Sequence, residues 1–172
     1  ASPLRLWGAD PLRSSHETRE PPMSEHLTVP QLRRTTQLTQ ELLLDLADRP
    51  PFETPEQAYS VLRAVLHAVR DRLTVEEATH LAAQLPMLVR GFYYEGWRPA
   101  LAPNEFETAE AFFRRVEESL GGAPVATEVD VRDGTRAVLE FLVDRLDPGE
   151  MSHVIGQLPS EIQELFPESV SG

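Results

Sequence analysis

"RAVLHAVRDRLTVEEATHLAAQLP", residues 63–86, is written again at residues 136–159 as "RAVLEFLVDRLDPGEMSHVIGQLP". The two stretches align without a gap at 12 identical positions out of 24, where chance pairing gives roughly one or two, so the chain carries an internal structural period. Within each copy the apolar residues recur three and four positions apart, the spacing of an amphipathic helix. Each copy has one more apolar stripe than it can hide alone, and two copies can bury those stripes against one another. The repeat therefore predicts an all-α fold: two tandem repeats of about four helices each, packed into one helical bundle-like domain.

Working outward, helix punctuation follows the same plan in both halves. Pro30 to Asp48 reads as a first helix with Leu42, Leu43 and Leu46 on its apolar side. Thr54, Pro55 and Gln57 form a start signal with a capping threonine, a proline in the first turn and a reciprocal glutamine. Its stripe is Leu62, Val65, Leu66, Val69 and Leu73. Thr74 and Glu77 open a third helix that buries Val75, Ala78, Leu81, Ala82 and Leu85, and Pro86 ends it and begins a fourth. In the second half Asn104 and Glu107 cap a helix carrying Phe106, Phe112, Phe113, Val116 and Leu120, stopped by Gly121 and Gly122. Thr127 to Leu146 reads as a sixth helix, Asp147 caps a seventh, and "PSEIQELF" closes the chain with a short one. Residues 1–27 mix prolines, charges and few apolar groups and read as a flexible tail, native or an extension upstream of Met23. The first repeat spans 28–100, the second 101–168, and 169–172 form a short C-terminal tail.

Composition removes whole classes of chemistry. The chain has 172 residues, no cysteine, and 16 basic residues that are all arginine. Disulfides, thiolate nucleophiles, sulfur-bound zinc, a phosphate-loop lysine and a Schiff-base lysine are all excluded. A formal net charge of −12 repels a phosphate backbone at long range, and no concentrated basic face offsets it, so nucleic acid is not an expected partner. No stretch is long and apolar enough to span a bilayer, and a cytoplasmic location is expected.

The stretch "DRLTVEEATHLAAQLPMLVRGFYYEGWRP", residues 71–99, resembles the bacterial family catalogued as domain of unknown function 2267. The runs "AAQLP" and "RGFYYEGW" carry the likeness, which extends over about Thr54 to Pro167. It implies a helical, internally duplicated cytoplasmic protein and supplies no activity or catalytic residue. After Pro159 the second copy departs from the first, so nothing claimed for the aromatic segment transfers to it.

Two patterns invite a functional reading. E-x-x-H occurs at equivalent positions, Glu77 with His80 and Glu150 with His153, a spacing that puts carboxylate and imidazole on one helix face, as in dinuclear sites of four-helix bundles. The competing reading is structural. Both glutamates stand at the third helical position, where a carboxylate favours the exposed amides, and His80 lies about 160° from the centre of its helix's apolar stripe. The second pattern is Arg90, Tyr93, Tyr94, Trp97 and Arg98, amphipathic aromatics flanked by arginines, as at the centres of protein interfaces. Leu88 with Phe92, and Val89 with Tyr93 and Trp97, stand at i, i+4 spacing, so core packing with a rim of Tyr and Arg is the competing reading. Gly91 within this helix suggests a close backbone approach.

His67 falls on the polar side of its helix with Arg63 and Asp71 and is expected to be solvated. Asp71, Arg72 and Gln84 recur as Asp144, Arg145 and Gln157 and look like helix-end joinery, with each glutamine satisfying a backbone group where the proline of Leu-Pro interrupts the ladder. No catalytic residue and no cofactor are predicted. The expected function is a non-enzymatic module that binds a protein partner or a second copy of itself. The alternatives are a carboxylate and histidine metal protein with oxidase-like chemistry, and a carrier with a small-molecule pocket between the repeats.

Overall fold

A computed structural model describes residues 29–122 and 128–168. Among them are eight α-helices and no strand: α1 Pro30–Ala47, α2 Pro55–Arg72, α3 Val75–Ala83, α4 Met87–Tyr94, α5 Ala109–Leu120, α6 Val131–Arg145, α7 Pro148–Gly156 and α8 Ser160–Gln163, with a 3-10 turn at Pro99–Leu101. The fold is all-α. Helix ends keep the spacing of the sequence repeat: α3 and α7 are displaced from one another by 73 residues at both ends, as are the last residues of α1 and α5 and of α2 and α6. The tails expected at 1–27 and 169–172 lie outside the described residues.

Local chemistry sets most boundaries. The Thr54 hydroxyl accepts from the Gln57 amide at 3.2 Å while the Gln57 side chain accepts from the Glu53 amide at 2.8 Å. Thr74 and Asp147 accept from the amides of Glu77 and Glu150 at 3.3 Å and 3.1 Å. Gly121 ends α5 in the left-handed conformation, φ 60°, where a side chain would be strained.

Two starts differ from expectation. Asn104 does not cap α5, because its own amide donates to the carbonyl of Asp71 at 2.7 Å and Arg72 holds the Phe106 carbonyl at 2.9 Å. These bonds tie residues 104–106 to the end of α2, so α5 begins only at Ala109, capped by Thr108, whose hydroxyl accepts from the Ala111 amide at 3.1 Å. Likewise α6 starts at Val131, where Asp130 accepts from the amides of Arg132 and Asp133; Thr127 lies outside the described residues. Trp97 is also off the helix, since α4 stops at Tyr94 and Gly96 turns with φ 67°.

The core gathers around α2, which packs against α1, α4, α5 and α6. Leu66 of α2 and Leu139 of α6 are each 0% exposed, and burying a leucine contributes roughly 1.5–3 kcal/mol. The predicted stripes of α2 and α3 face inward except for Val75, which is exposed at the first turn of α3, and Met151, Val154 and Ile155 of α7 are buried as well. At Gly134 a Cβ would stand 3.3 Å from Cγ1 of Val61 and 3.1 Å from Cγ1 of Val129. Val61 and Gly134 occupy equivalent places in the repeat, so α2 and α6 touch where their own equivalent residues meet, and one of the two is reduced to a hydrogen.

Candidate functional site

Every residue from Ala64 to Asp71 is buried. A helix covered on one side would expose part of each turn; the last two turns of α2 are covered all round. His67, expected to be solvated, and Asp71, expected as helix-end joinery, are therefore 8% and 9% exposed, and Arg70 between them is 4% exposed. What covers them is α5 on one side and the chain following α4 on the other.

Their partners explain how polar groups survive there. The last carbonyls of α4 lack the amide donors that a continued helix would give them; beside the cap bond from the Glu95 amide to the Phe92 carbonyl, α2 supplies donors. His67 Nε2 donates to the Phe92 carbonyl at 2.6 Å, and Arg70 Nη1 bonds the carbonyls of Tyr93 and Glu95. A carbonyl only accepts, so the proton of neutral His67 sits on Nε2 and its Nδ1 lone pair faces the Ser119 hydroxyl 3.4 Å away. Burial, followed by the charges of Arg70 and Arg63, holds the imidazole below its usual range against the opposing pull of the Phe92 bond. Asp71 lies between two guanidiniums, Arg70 at 2.7 Å and Arg115 of α5 at 2.9 Å. Arg63 grips Glu95 through two nitrogens at 2.8 Å each.

A cleft of about 410 Å³ opens between α2 and α5, lined by Arg63, His67, Arg70, Glu95, Arg115 and Ser119 among others. A smaller cavity of about 220 Å³ continues from it past Asp71, Gly96 and Arg115 to Trp97, Arg98 and Leu101. Both lie between elements of the two sequence repeats.

The aromatic segment divides into two parts. Arg90 donates to the carbonyls of Ala82 at 3.0 Å and Leu85 at 3.2 Å, closing the end of α3. Gln163, seventy-three residues on, does the same for Leu158 at 2.7 Å. The joinery expected of Gln84 and Gln157 thus belongs to Arg90 and Gln163, while both of those glutamines are exposed. Tyr93 is 0% exposed, with its hydroxyl donating to the Ala78 carbonyl at 2.7 Å. Tyr94 and Trp97 are half-buried with ring centroids 5.4 Å apart, beside exposed Arg98. Nothing lies within 4 Å of a Cβ built on Gly91, so the close approach expected there does not occur.

The two E-x-x-H motifs do not assemble into one centre. His153 Nε2 meets Glu77 Oε1 at 2.9 Å across α7 and α3, His80 is exposed, and Glu150 makes no bond to either histidine. Among the described residues no three His, Cys, Asp or Glu side chains come together to hold a metal ion. No helix among them is long and apolar enough to cross a membrane.

The family model described as "Uncharacterized conserved protein (DUF2267)" matches residues 39–168. No curated protein matches the chain.

Proposed function

We propose, from the premise that the chain belongs to the DUF2267 family, that it is a non-enzymatic helical interaction module of the cytoplasm. Its binding surface is the end of α4 and the segment following it, where Tyr94, Trp97, Arg98 and Leu101 meet solvent. The observation that supports this reading is the half-buried Tyr94–Trp97 stack at 5.4 Å, set beside exposed Arg98 and a Leu101 that is 60% exposed. Aromatic rings already fixed by packing lose little entropy on binding, and aromatic and arginine side chains dominate the energetic centres of interfaces. Tyr93 anchors that surface by filling the core, and Arg90 closes the end of α3. The absence of cysteine fits a reducing compartment.

The partner is a protein or a second copy of this chain. A net charge of −12 sets two copies against one another, so self-association rises as salt screens the repulsion. Light scattering across a wide concentration range, at low and high salt, tests this for the wild type, Trp97→Ala and Arg98→Glu. An oligomer that both substitutions weaken supports the reading. A wild-type monomer under all conditions removes self-association, and an oligomer indifferent to both substitutions removes this surface.

A further inference from the structure

We propose that the cleft between α2 and α5 is a binding site for a small oxyanion, a carboxylate or a phosphate, gripped by Arg63 and Arg115 with Ser119 and His67 on its wall. The inference concerns a different surface from the aromatic rim and does not depend on what that rim binds.

The first argument comes from comparing the two repeats position by position. The cleft wall contains Ala68; the residue seventy-three positions later is Phe141, which is 1% exposed and lies beneath Arg49 and Arg145, 5.1 Å and 5.4 Å from its ring centroid. The equivalent place in the other half is thus filled by an aromatic ring. On the filled side the ring is capped by two ion pairs, Arg49 with Asp144 and Arg145 with Asp45, whereas on the open side the polar groups line the cleft itself. Ser119, Arg70 and Arg115 stand where the other repeat has Leu46, Val143 and Leu42. Burying a polar group costs stability relative to an apolar core, and Arg70, 4% exposed, stands where the other half has an aliphatic side chain.

The second argument is the depth of the charges. Arg63, Arg70 and Arg115 formally balance Asp71, Glu95 and Glu118 around the cleft, and the basic groups lie deeper than the two glutamates. Asp71 is held by both Arg70 and Arg115, at 2.7 Å and 2.9 Å, and the Arg63 and Arg115 side chains are 31% and 41% exposed. The carboxylates opposite Arg63 and Arg115 belong to Glu95 and Glu118, with side chains 56% and 61% exposed and free to be hydrated. Such exposed pairs are worth little. The two glutamates mark where a ligand's oxygens would lie, and an anion that displaces them leaves their carboxylates to the solvent. The volume, about 410 Å³, is in the range of small-molecule sites. Ser119 supplies a hydroxyl donor. His67, faced by Arg63, Arg70 and Asp71 from α2, by the Phe92 carbonyl from α4 and by Ser119 from α5, gains a second donor when an anion draws a proton onto Nδ1.

The test is a titration of the full chain with inorganic phosphate and, separately, with acetate, following the His67 ring resonances by NMR against chloride at matched ionic strength. His67→Gln assigns the resonance. Saturable shifts and a raised His67 titration midpoint are expected. Arg115→Gln is expected to weaken binding by about tenfold, the loss of one charge-assisted bond. Ala68→Phe, which imports the ring found at Phe141, should abolish binding, and circular dichroism shows whether it stays folded. Glu118→Gln removes the internal competitor and should tighten binding a few-fold, ~2–5. A response to phosphate alone assigns a phosphoryl ligand, and a response to acetate assigns a carboxylate. Shifts no larger than those with chloride, or a Glu118→Gln variant that binds more weakly, overturn the proposal.

Discussion

His153 of α7 places Nε2 2.9 Å from Oε1 of Glu77 on α3, so a residue of the second repeat completes a motif begun in the first. The reverse pairing does not occur. Glu77 has a side chain 10% exposed against 57% for His153, and its Oε2 is buried without a partner. Packing of α3 on α7, with Leu81 and Val154 buried at 2% and 1%, holds this seam, and the polar contact adds to it.

From that asymmetry follows a modest coupling. A double-mutant cycle combining Glu77→Gln and His153→Ala, read by urea unfolding, should give an interaction energy below about 1 kcal/mol, because the imidazole is largely solvated. A coupling above about 2 kcal/mol would mean that charge, and not apolar contact, joins the repeats here.

His67 makes stability depend on acidity. Its folded pKa lies below the ordinary 6.5, chiefly through burial, so near and below that value the unfolded chain binds more protons than the folded one. The stabilisation from keeping the ring neutral is fully present above about pH 6.5 and is lost as pH falls through the folded pKa. Urea midpoints for the wild type should therefore fall on the acid side more steeply than those of His67→Gln, whose amide can still donate to the Phe92 carbonyl. Parallel curves would show that His67 is not the group responsible.

These histidines also show what the sequence discloses. Caps at Thr54, Thr74 and Asp147 are local, since donor and acceptor lie three residues apart, and they are legible before any fold is known. The apolar stripes are legible for the same reason. Periodicity tells which residues share a face but not how many faces are covered, so His67 and Asp71 read as solvated when α5 in fact covers them. Asn104 has a capping residue's chemistry, and only the distant carbonyl of Asp71 explains why it does not cap. One signal was present in the repeat itself: the exchanges of Ala68 for Phe141 and Val61 for Gly134 mark an open seam and a close crossing.

Tyr93 couples the aromatic segment to α3 and sets an alkaline limit. Tyr93→Phe removes the bond to the Ala78 carbonyl, which stays within the α3 ladder, and should cost about 0.5–1.5 kcal/mol. Burial raises the phenol well above its ordinary 10.0. The unfolded chain then releases this proton first, so stability is intact below about pH 10 and declines as pH rises toward the folded value. Phenylalanine should remove that part of the alkaline decline. An unchanged alkaline slope in Tyr93→Phe would assign it elsewhere.

Gly134 offers the most direct test of how the two repeats meet. Its missing side chain accommodates Val61 and Val129, whose Cγ1 atoms lie 3.3 Å and 3.1 Å from where a Cβ would stand. Alanine brings two opposing effects: helix propensity improves by about 1 kcal/mol, while the two valines must give by a few tenths of an ångström. Gly134→Ala should therefore be close to neutral. Valine adds two methyls with nowhere to go, and Gly134→Val should lower stability by roughly 1–3 kcal/mol in urea unfolding. Shortening the facing residue restores room, so Val61→Ala combined with Gly134→Val should recover part of that loss, although Val61→Ala alone destabilises by opening a void. Such non-additivity is expected only for residues in contact. If the two losses simply add, α2 and α6 do not cross at their equivalent positions, and the close packing of the two halves at this point is wrong.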